Sequence, residues 1–308
     1  MAAPGGEALL RDARRLLETD SNLLGALFSD PQVYELEKRR LFARSWVFVG
    51  HESEIPQAHD YMVRYVVDDA FIVLRDGDGQ IRAHYNMCRH RGMTVCRTEA
   101  GNSKRFQCPY HGWTYDASGR LAGVPFEADA YGKGRLDRDQ WGLMPAPGLD
   151  SIFGMIFVSL DENAPPLRDY LQGAEWYLAL YLDKSDAGME VRGAPQRWIV
   201  PANWKLATEN FIGDAYHTGH THVSTVESGA LPVPGRDFHK EGVHAHTGPW
   251  GGGFLYAPPE AGYLFYGPEV TETMRRRLTP EHASAILDTG LALTHSAVMP
   301  NLSFLNAP

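Results

Sequence analysis

Apolar positions between Trp46 and about Leu160 come in short runs rather than in a helical rhythm. "YMVRYVV" (61–67), "AFIVLR" (70–75), "IRAHYN" (81–86) and "MIFVSL" (155–160) are rich in β-branched and aromatic residues, which is the composition of strands. "DGDG" (76–79) lies between two of these runs and predicts a hairpin turn, and "DASG" (116–119), following "HGWTY", predicts another. Before this region, "EALLRDARRLL" places Leu9, Leu10, Leu16 and Leu17 along a short amphipathic helix.

After it the pattern changes. "DENAPPLRDYL" (161–171), with Pro165 and Pro166, predicts a boundary. Beyond it, "LRDYLQGAEWYLALYL" (167–182) predicts a helix and "RWIVPANW" (197–204) an extended run. "WKLATENFIGDAYHTGHTH" (204–222) predicts a helix that leads into a histidine-rich turn. "GPWGGGFLYAPPEAGYLFYG" (248–267) reads as loop and strand, and Thr279 and Pro280 mark the start of one more helix. The expected organisation is an N-terminal helical segment (1–40) packing on the last domain, a strand-built domain (41–160) and a mixed domain (161–308).

Composition narrows the class. Over 308 residues, 44% are hydrophobic and 22% charged, as in an ordinary globular protein. A net charge of -9 and a pI near 5.8 argue against a binder of nucleic-acid phosphates. "MRRRL" (274–278) is then a solvated helix face. No apolar run is long enough for a membrane span, and the first residues lack the basic start and apolar run of a secretory signal. Three cysteines make a disulfide scaffold improbable, and a reducing cytoplasm suits thiolates held for another use.

Two of those cysteines carry chemistry. In "CRHRGMTVCRTEAGNSKRFQCPYHGW" (88–113), Cys88 and His90 form one pair and Cys108 and His111 a second. Zinc accepts two thiolates and two imidazoles, but the usual finger places both cysteines before both histidines. Mixed pairs also suit a [2Fe–2S] cluster in which the cysteines hold one iron and the histidines the other. Cys96 lies outside both pairs and reads as a small buried hydrophobe. Pro109 and Gly112 suit tight turns with backbone N–H groups facing a cluster, and Trp113 is placed to cover it.

Downstream, His217, His220 and His222 follow Asp214. Two histidines and a carboxylate make the facial triad of a non-haem Fe(II) oxygenase. Helix geometry favours His217 with His220, three apart on one face. His217 and His222 converge only if Gly219 breaks the helix. No GxGxxG follows a strand, so a nicotinamide is not expected to bind this chain directly.

"CRHRG" with "CPYHGWTY" resembles the Rieske signature of ring-hydroxylating oxygenases. "ENFIGDAYHTGHTH" (209–222) resembles the mononuclear-iron motif of the naphthalene- and biphenyl-dioxygenase α subunits. The resemblance runs from "SWVFVGHESEIP" to "MPNLSF". It implies an α+β protein: an all-β Rieske domain plus a mixed α+β catalytic domain, an antiparallel sheet with surrounding helices, the latter incomplete. It implies a Rieske [2Fe–2S] cluster on Cys88, His90, Cys108 and His111, and mononuclear Fe(II) on His217 and His222.

By the same resemblance, Asp214 bridges to a histidine matching His111 on a neighbouring subunit, and Asn210 faces the iron. The third ligand, an aspartate, normally lies further downstream; nothing around Asp288 or Glu281 supports either, so a truncated chain is expected. Substrate-pocket candidates are Phe211, Thr218, Leu291, His295 and Met299, all of which also suit ordinary core packing. The implied function is the terminal oxygenase of an aromatic-ring dioxygenase, adding both atoms of O2 to an arene to give a cis-dihydrodiol. NADH electrons would arrive through a reductase and a ferredoxin, and the subunits would form an α3 or α3β3 assembly with a small β subunit. Other readings are a Rieske monooxygenase or O-demethylase, and an electron-transfer or regulatory protein with an inactive second domain.

Overall fold

The computed structural model describes residues 6–18, 25–215, 217–229, 240, 242–248, 251–256, 266–290 and 292–305. Packing divides the chain into two compact units, one of Phe42–Ala164 with Glu190–Arg192, the other of Met1–Leu41, Pro165–Met189 and Gly193–Pro308. No described helix is long and apolar enough to cross a membrane.

Helix α1 (Gly6–Leu17) buries Leu9 and Ala13 against Leu27 and Val33, the latter from α2 (Pro31–Arg40). The expected leucine stripe is thus narrower: Leu10 and Leu16 are half-buried, and the Leu17 side chain lies outside the described residues. Asp30 caps α2 by accepting the Gln32 N–H at 2.7 Å, Pro31 opens it, and Lys38, Arg39 and Arg40 close it, so both ends suit the helix dipole.

The strand-rich unit holds three antiparallel sheets. β1 (Trp46–His51) pairs with a late hairpin. β2 (Asp60–Val66), β3 (Asp69–Arg75), β4 (Ile81–Tyr85) and β5 (Ala100–Asn102) form a second sheet in the order β4-β3-β2-β5. β6 (Arg105–Gln107), β7 (Thr114–Asp116) and β8 (Leu121–Gly123) form a third, followed by a short helix α3 (Glu127–Tyr131). The late hairpin, β9 (Gly148–Ile152) and β10 (Met155–Ser159), completes the first sheet in the order β1-β10-β9.

Both predicted turns form, and by the same device. Asp76 Oδ1 accepts N–H groups of Asp78 and Gln80, while Asp116 Oδ1 accepts those of Ser118 and Arg120. In each turn the following glycine, Gly79 at φ +80° or Gly119 at φ +85°, takes the left-handed conformation. The core of this unit gathers Tyr61, Ile72, Leu74, Phe106, Trp113 and Tyr115, and with them Cys88 and Cys108.

His84 lies beside the second turn, 5% exposed and close enough that a Cβ on Gly119 would come within 2.6 Å of its ring. Burial, with the Arg82 charge, holds its pKa below the ordinary histidine value; the Ala117 backbone and Asp116 pull upward without prevailing. Below about pH 6.5 the unfolded chain therefore binds a proton that the native unit resists. This contribution to stability is complete above that pH and is lost as pH falls toward the depressed folded value. The thermal midpoint of this unit should fall from pH 6.5 downward, at up to about 1.4 kcal/mol per unit, and His84→Leu should flatten that limb. An unchanged limb in the variant would assign it to another group.

The other unit continues with α4 (Leu167–Leu171) and α5 (Ala174–Leu182). The single helix expected over this stretch is broken in two, because Gln172 at φ +47° and Gly173 at φ +89° turn the chain left-handed. Next come α6 (Lys205–Gly213), α7 (Thr218–Thr221) and α8 (Val223–Glu227); the "RWIVPANW" run before them forms no strand, bends at 201–202 and is already helical at Trp204. β11 (Val243–Thr247), β12 (Gly251–Tyr256), α9 (Pro268–Arg277), α10 (Pro280–Leu287), β13 (Ala292–Val298) and β14 (Leu302–Leu305) follow, the strands forming one antiparallel sheet in chain order. Thr279 caps α10 by accepting the His282 N–H.

Leu180, Met274, Leu278, Ala283 and Ile286 pack α5, α9 and α10 together. The arginines at 275–277 are not simply solvated: Arg275 pairs with Asp288 at 3.1 Å, Arg276 with Asp186, and Arg277 with Asp183 and Asp186. Acidic residues from neighbouring segments come opposite them, which no local pattern announces. The chain is thus α+β, an all-β unit followed by a sheet with helices around it.

Candidate metal centres

The two Cys/His loops are closed alike. Cys88 N–H donates to Met93 C=O at 2.8 Å, and Gly92 N–H donates back to Cys88 C=O at 2.8 Å. Cys108 N–H donates to Trp113 C=O at 2.8 Å, and Gly112 N–H to Cys108 C=O at 3.0 Å. Gly92 and Gly112 sit at φ +72° and +73°, where a side chain would strain the backbone, and at Gly112 a Cβ would also lie 2.8 Å from Pro125. Each loop therefore presents a cysteine at its root and a histidine near its tip. That C-x3-G spacing occurs twice in the sequence and is the signal for Gly92, which motif reading passed over.

The thiols and imidazoles have different surroundings. Cys88 and Cys108 are each 2% exposed. Burial pushes the Cys88 thiol up, against hydrogen bonds from the Tyr115 hydroxyl, 3.2 Å from Sγ, and from the His90 backbone; neighbouring Cys108 raises it too. Tyr115 also accepts Arg89 N–H at 3.1 Å, and its own pKa is raised chiefly by burial. Sequence reading missed Tyr115, which looks like any core aromatic. His90 and His111 rings lie 4.6 Å apart, His90 stacks on Trp113 at 5.0 Å, and Tyr110 stacks on His111 at 3.8 Å. Burial, His111 and Arg91 all lower the His90 pKa, so its imidazole is neutral, the form that binds metal.

The donor set fits a two-iron cluster. Two buried thiols neighbour one another, as do two imidazoles, and the buried His90 Nδ1 has no hydrogen-bond partner. Among the described residues no three His, Cys, Asp or Glu side chains converge as a closed single-ion site requires. A cluster of this kind takes two protein ligands on each iron, whereas a single zinc ion would draw all four onto one centre. Cys96 is buried, with its sulfur against Thr98, apart from both loops. Around the loops the surface is apolar: Met87, Met93, Tyr110 and Phe126 are exposed, Phe126 by 81%.

In the other unit, α6 ends at Asp214 and a helical turn resumes at His217. His217 Nδ1 donates to the Asp214 C=O and lies 3.5 Å from its Oδ2, with Asn210 Nδ2 at 3.4 Å. This fixes the imidazole with Nε2 outward. The His217 and His222 rings are 5.2 Å apart, whereas His220 is exposed and points to neither among the described contacts.

Gly219 does not break the helix. Thr221 N–H and His222 N–H bond back to His217 and Thr218, and the departure comes at His222, with φ −104°. Convergence thus comes from the end of the turn. Asp214 Oδ1 is buried without a hydrogen-bond partner. Asp288 is held by Arg275, and no third carboxylate, thiol or imidazole joins His217 and His222 among the described residues.

The pocket candidates are only partly gathered. His295 Nδ1 donates to Phe211 C=O at 2.9 Å, and its ring meets Phe211 and stacks on Phe254. Burial lowers the His295 pKa foremost, and the His217 and His244 charges add to this. Thr218 and Met299 are half-buried, and Leu291 lies outside the described residues. A partly open hollow of about 20 Å³, room for a single water, is lined by Tyr177, Thr247, Ser296 and Phe304 but by none of the five candidates.

Comparison with known proteins finds a recognised domain around each donor set. Residues 45–135 match the Rieske [2Fe–2S] domain, and residues 167–308 match the catalytic domain of the ring-hydroxylating α subunit. The chain is 39% identical to the biphenyl 2,3-dioxygenase α subunit of Rhodococcus jostii over 91% of its length, spanning 62% of that subunit. It is 43% identical to the N,N-dimethyl phenylurea N-demethylase α subunit of a Sphingobium over 72% of its length, spanning 49% of it. Naphthalene 1,2-dioxygenase from a Rhodococcus, solved with indole bound, superposes with a TM-score of 0.91 at 46% identity, over 97% of this chain and 68% of that one. A Rieske domain carries a [2Fe–2S] cluster and the catalytic domain a mononuclear iron. With both domains present in that order, the chain belongs to the α subunits of the Rieske non-haem iron ring-hydroxylating dioxygenases.

Proposed function

We propose that this chain is the catalytic part of a terminal oxygenase that converts a neutral arene, O2, two electrons and two protons into a cis-dihydrodiol. The observation that carries the reading is the pair of donor sets, one of two thiols and two imidazoles, the other of two converging imidazoles beside a carboxylate. When bound, the cluster on Cys88, His90, Cys108 and His111 supplies single electrons, and iron on His217 and His222 supplies binding and activation of O2. The chain's residues do the rest. Asp214 orients His217 through its backbone carbonyl, Asn210 braces the same ring, and Phe211, Thr218, Leu291, His295 and Met299 hold the substrate. None of those five is a lysine or arginine that would seat a carboxylate.

Electrons reach the cluster from NADH through a reductase and a ferredoxin, in the cytoplasm. The assembly is a trimer, α3 or α3β3, in which Asp214 of one subunit meets His111 of the next. An exposed His111 and an Asp214 side chain that is 30% exposed support that pairing. Oxidative demethylation is the second reading, favoured by the demethylase relative; a protein with an inactive second domain is the third.

Two experiments test this. The full-length subunit, supplied with reductase, ferredoxin and naphthalene under 18O2, should put both labelled atoms on one ring. A single labelled atom, or turnover of carboxylated arenes with none of hydrocarbons, would overturn it. Cys88→Ser should abolish the red-brown colour and acid-labile sulfide, whereas Cys96→Ala should leave both intact; stoichiometric zinc in a colourless protein would refute the cluster.

A further inference from the structure

A group outside both metal centres has surroundings that the proposed function does not use. Lys184 follows α5 and is half-buried, with Nζ 2.7 Å from the Tyr266 hydroxyl. Its Nζ is also 5.1 Å from the Tyr266 ring centroid and 5.8 Å from that of Tyr181. At 2.7 Å from the hydroxyl and 5.1 Å from the centroid, the amine lies off the ring's hydroxyl-bearing edge. Only the face of an aromatic ring attracts a cation; its edge carries the positive end of the quadrupole. Tyr181, at 5.8 Å, stands near the limit of useful attraction.

No carboxylate offsets this among the described residues. Lys38 and Lys205, by contrast, rest on Glu35 at 2.8 Å and Glu37 at 2.6 Å. The acids nearest Lys184 in sequence are committed elsewhere, Asp183 to Arg277 and Asp186 to Arg276 and Arg277. Tyr181 is engaged too, donating to Leu305 C=O at 2.9 Å. Among the described residues the amine therefore sits between two phenols with one hydrogen bond and no counter-charge.

We propose that Lys184 is a nucleophilic amine and the preferred site of acylation in this chain by activated acyl donors such as thioesters. The neutral nitrogen attacks the acyl carbon, an N–C bond forms and the C–S bond breaks. The thiolate leaves, one N–H proton passes to solvent base, and a neutral amide remains. Nothing is oxidised or reduced. Burial supports the reading by pushing the Lys184 pKa down to about 8. A group at that value is largely neutral one unit above it, whereas an ordinary lysine titrates near about 10.4.

The test is trace acetylation of the intact protein with acetic anhydride from about pH 6.5 to about pH 10.5, a range that brackets both values. Each lysine is quantified by peptide mass spectrometry. Lys184 should show a rate midpoint near pH 8, and near neutrality it should react about tenfold or more faster than exposed Lys104. Tyr266→Phe should keep the early midpoint, since burial and not the hydroxyl sets it. A Lys184 midpoint equal to that of Lys104, or no Lys184 label while Lys104 reacts, overturns the proposal. Acetyl-thioester in place of the anhydride should give the same ranking; a ranking led by Lys104 would also overturn it.

Discussion

His222→Ala should strip the mononuclear iron from the subunit and lower activity at least about 100-fold, beyond the 10–100-fold that loss of a mere supporting partner costs. The cluster spectrum should not change, because the cluster residues belong to the other unit. His220→Ala should leave iron content and turnover within about twofold, as expected of an exposed surface change. The contrast discriminates between two pairings that the sequence leaves open. Spacing alone favours His217 with His220, which share a helix face. The rings that approach, at 5.2 Å, are those of His217 and His222. His217 is also the ring whose Nδ1 is spent on Asp214, leaving Nε2 for a metal. Iron content by metal analysis, read alongside activity, separates a lost ligand from a lost fold. If His220→Ala empties the site and His222→Ala does not, the pairing is wrong and the helical turn must rearrange when metal binds.

What was legible in the chain divides along physical lines. Strands β2, β3, β4 and β10 were visible because β-branched runs ended in Asp- and Gly-rich turns, and those turns form by local hydrogen bonds from Asp76 and Asp116. The cluster residues were visible because their spacing is local as well. The errors arose where a glycine has two meanings. Gly173 takes a left-handed φ and splits a predicted helix, whereas Gly219 stays inside a helical turn that it was expected to break. Neighbouring residues do not say which conformation tertiary packing will select. Gly92 and Tyr115 were missed for related reasons. One is a glycine whose role shows only beside its twin in the second loop, the other an aromatic whose hydroxyl meets a thiol 27 positions earlier. Two of the three arginines of α9, Arg276 and Arg277, depend on acids about ninety positions away. Pocket residues were the least legible, since the apolar types that bind an arene also fill cores. A small hollow in that unit is lined by other residues.

Mixed assemblies should recover activity that neither parent has. A full-length subunit carrying Cys108→Ser lacks a thiolate for the cluster, and one carrying His217→Ala lacks an imidazole for the iron. Each alone should be inactive. In a trimer built with head-to-tail contacts, every subunit meets two different neighbours, so one chain's intact cluster can lie beside another's intact iron. Random mixing of equal amounts then gives some assemblies with productive boundaries, and activity should return to a sizeable fraction of wild type, on the order of a quarter. The surface around the loops suits such a boundary. Met87, Met93, Tyr110 and Phe126 expose apolar area near a His111 that is itself exposed. On the other side, the Asp214 side chain is 30% exposed, so its carboxylate can accept a histidine N–H from a neighbour. Asp214→Ala should accordingly leave cluster and iron contents near those of wild type while product formation falls about 100-fold, since it removes the bridge and no ligand. Stopped-flow reduction distinguishes the two losses: the cluster should still accept an electron from dithionite but fail to reoxidise when substrate and O2 are added. Mixed trimers that assemble, verified by mass, yet stay inactive would place the electron route within one subunit, and Asp214 would then act only through His217.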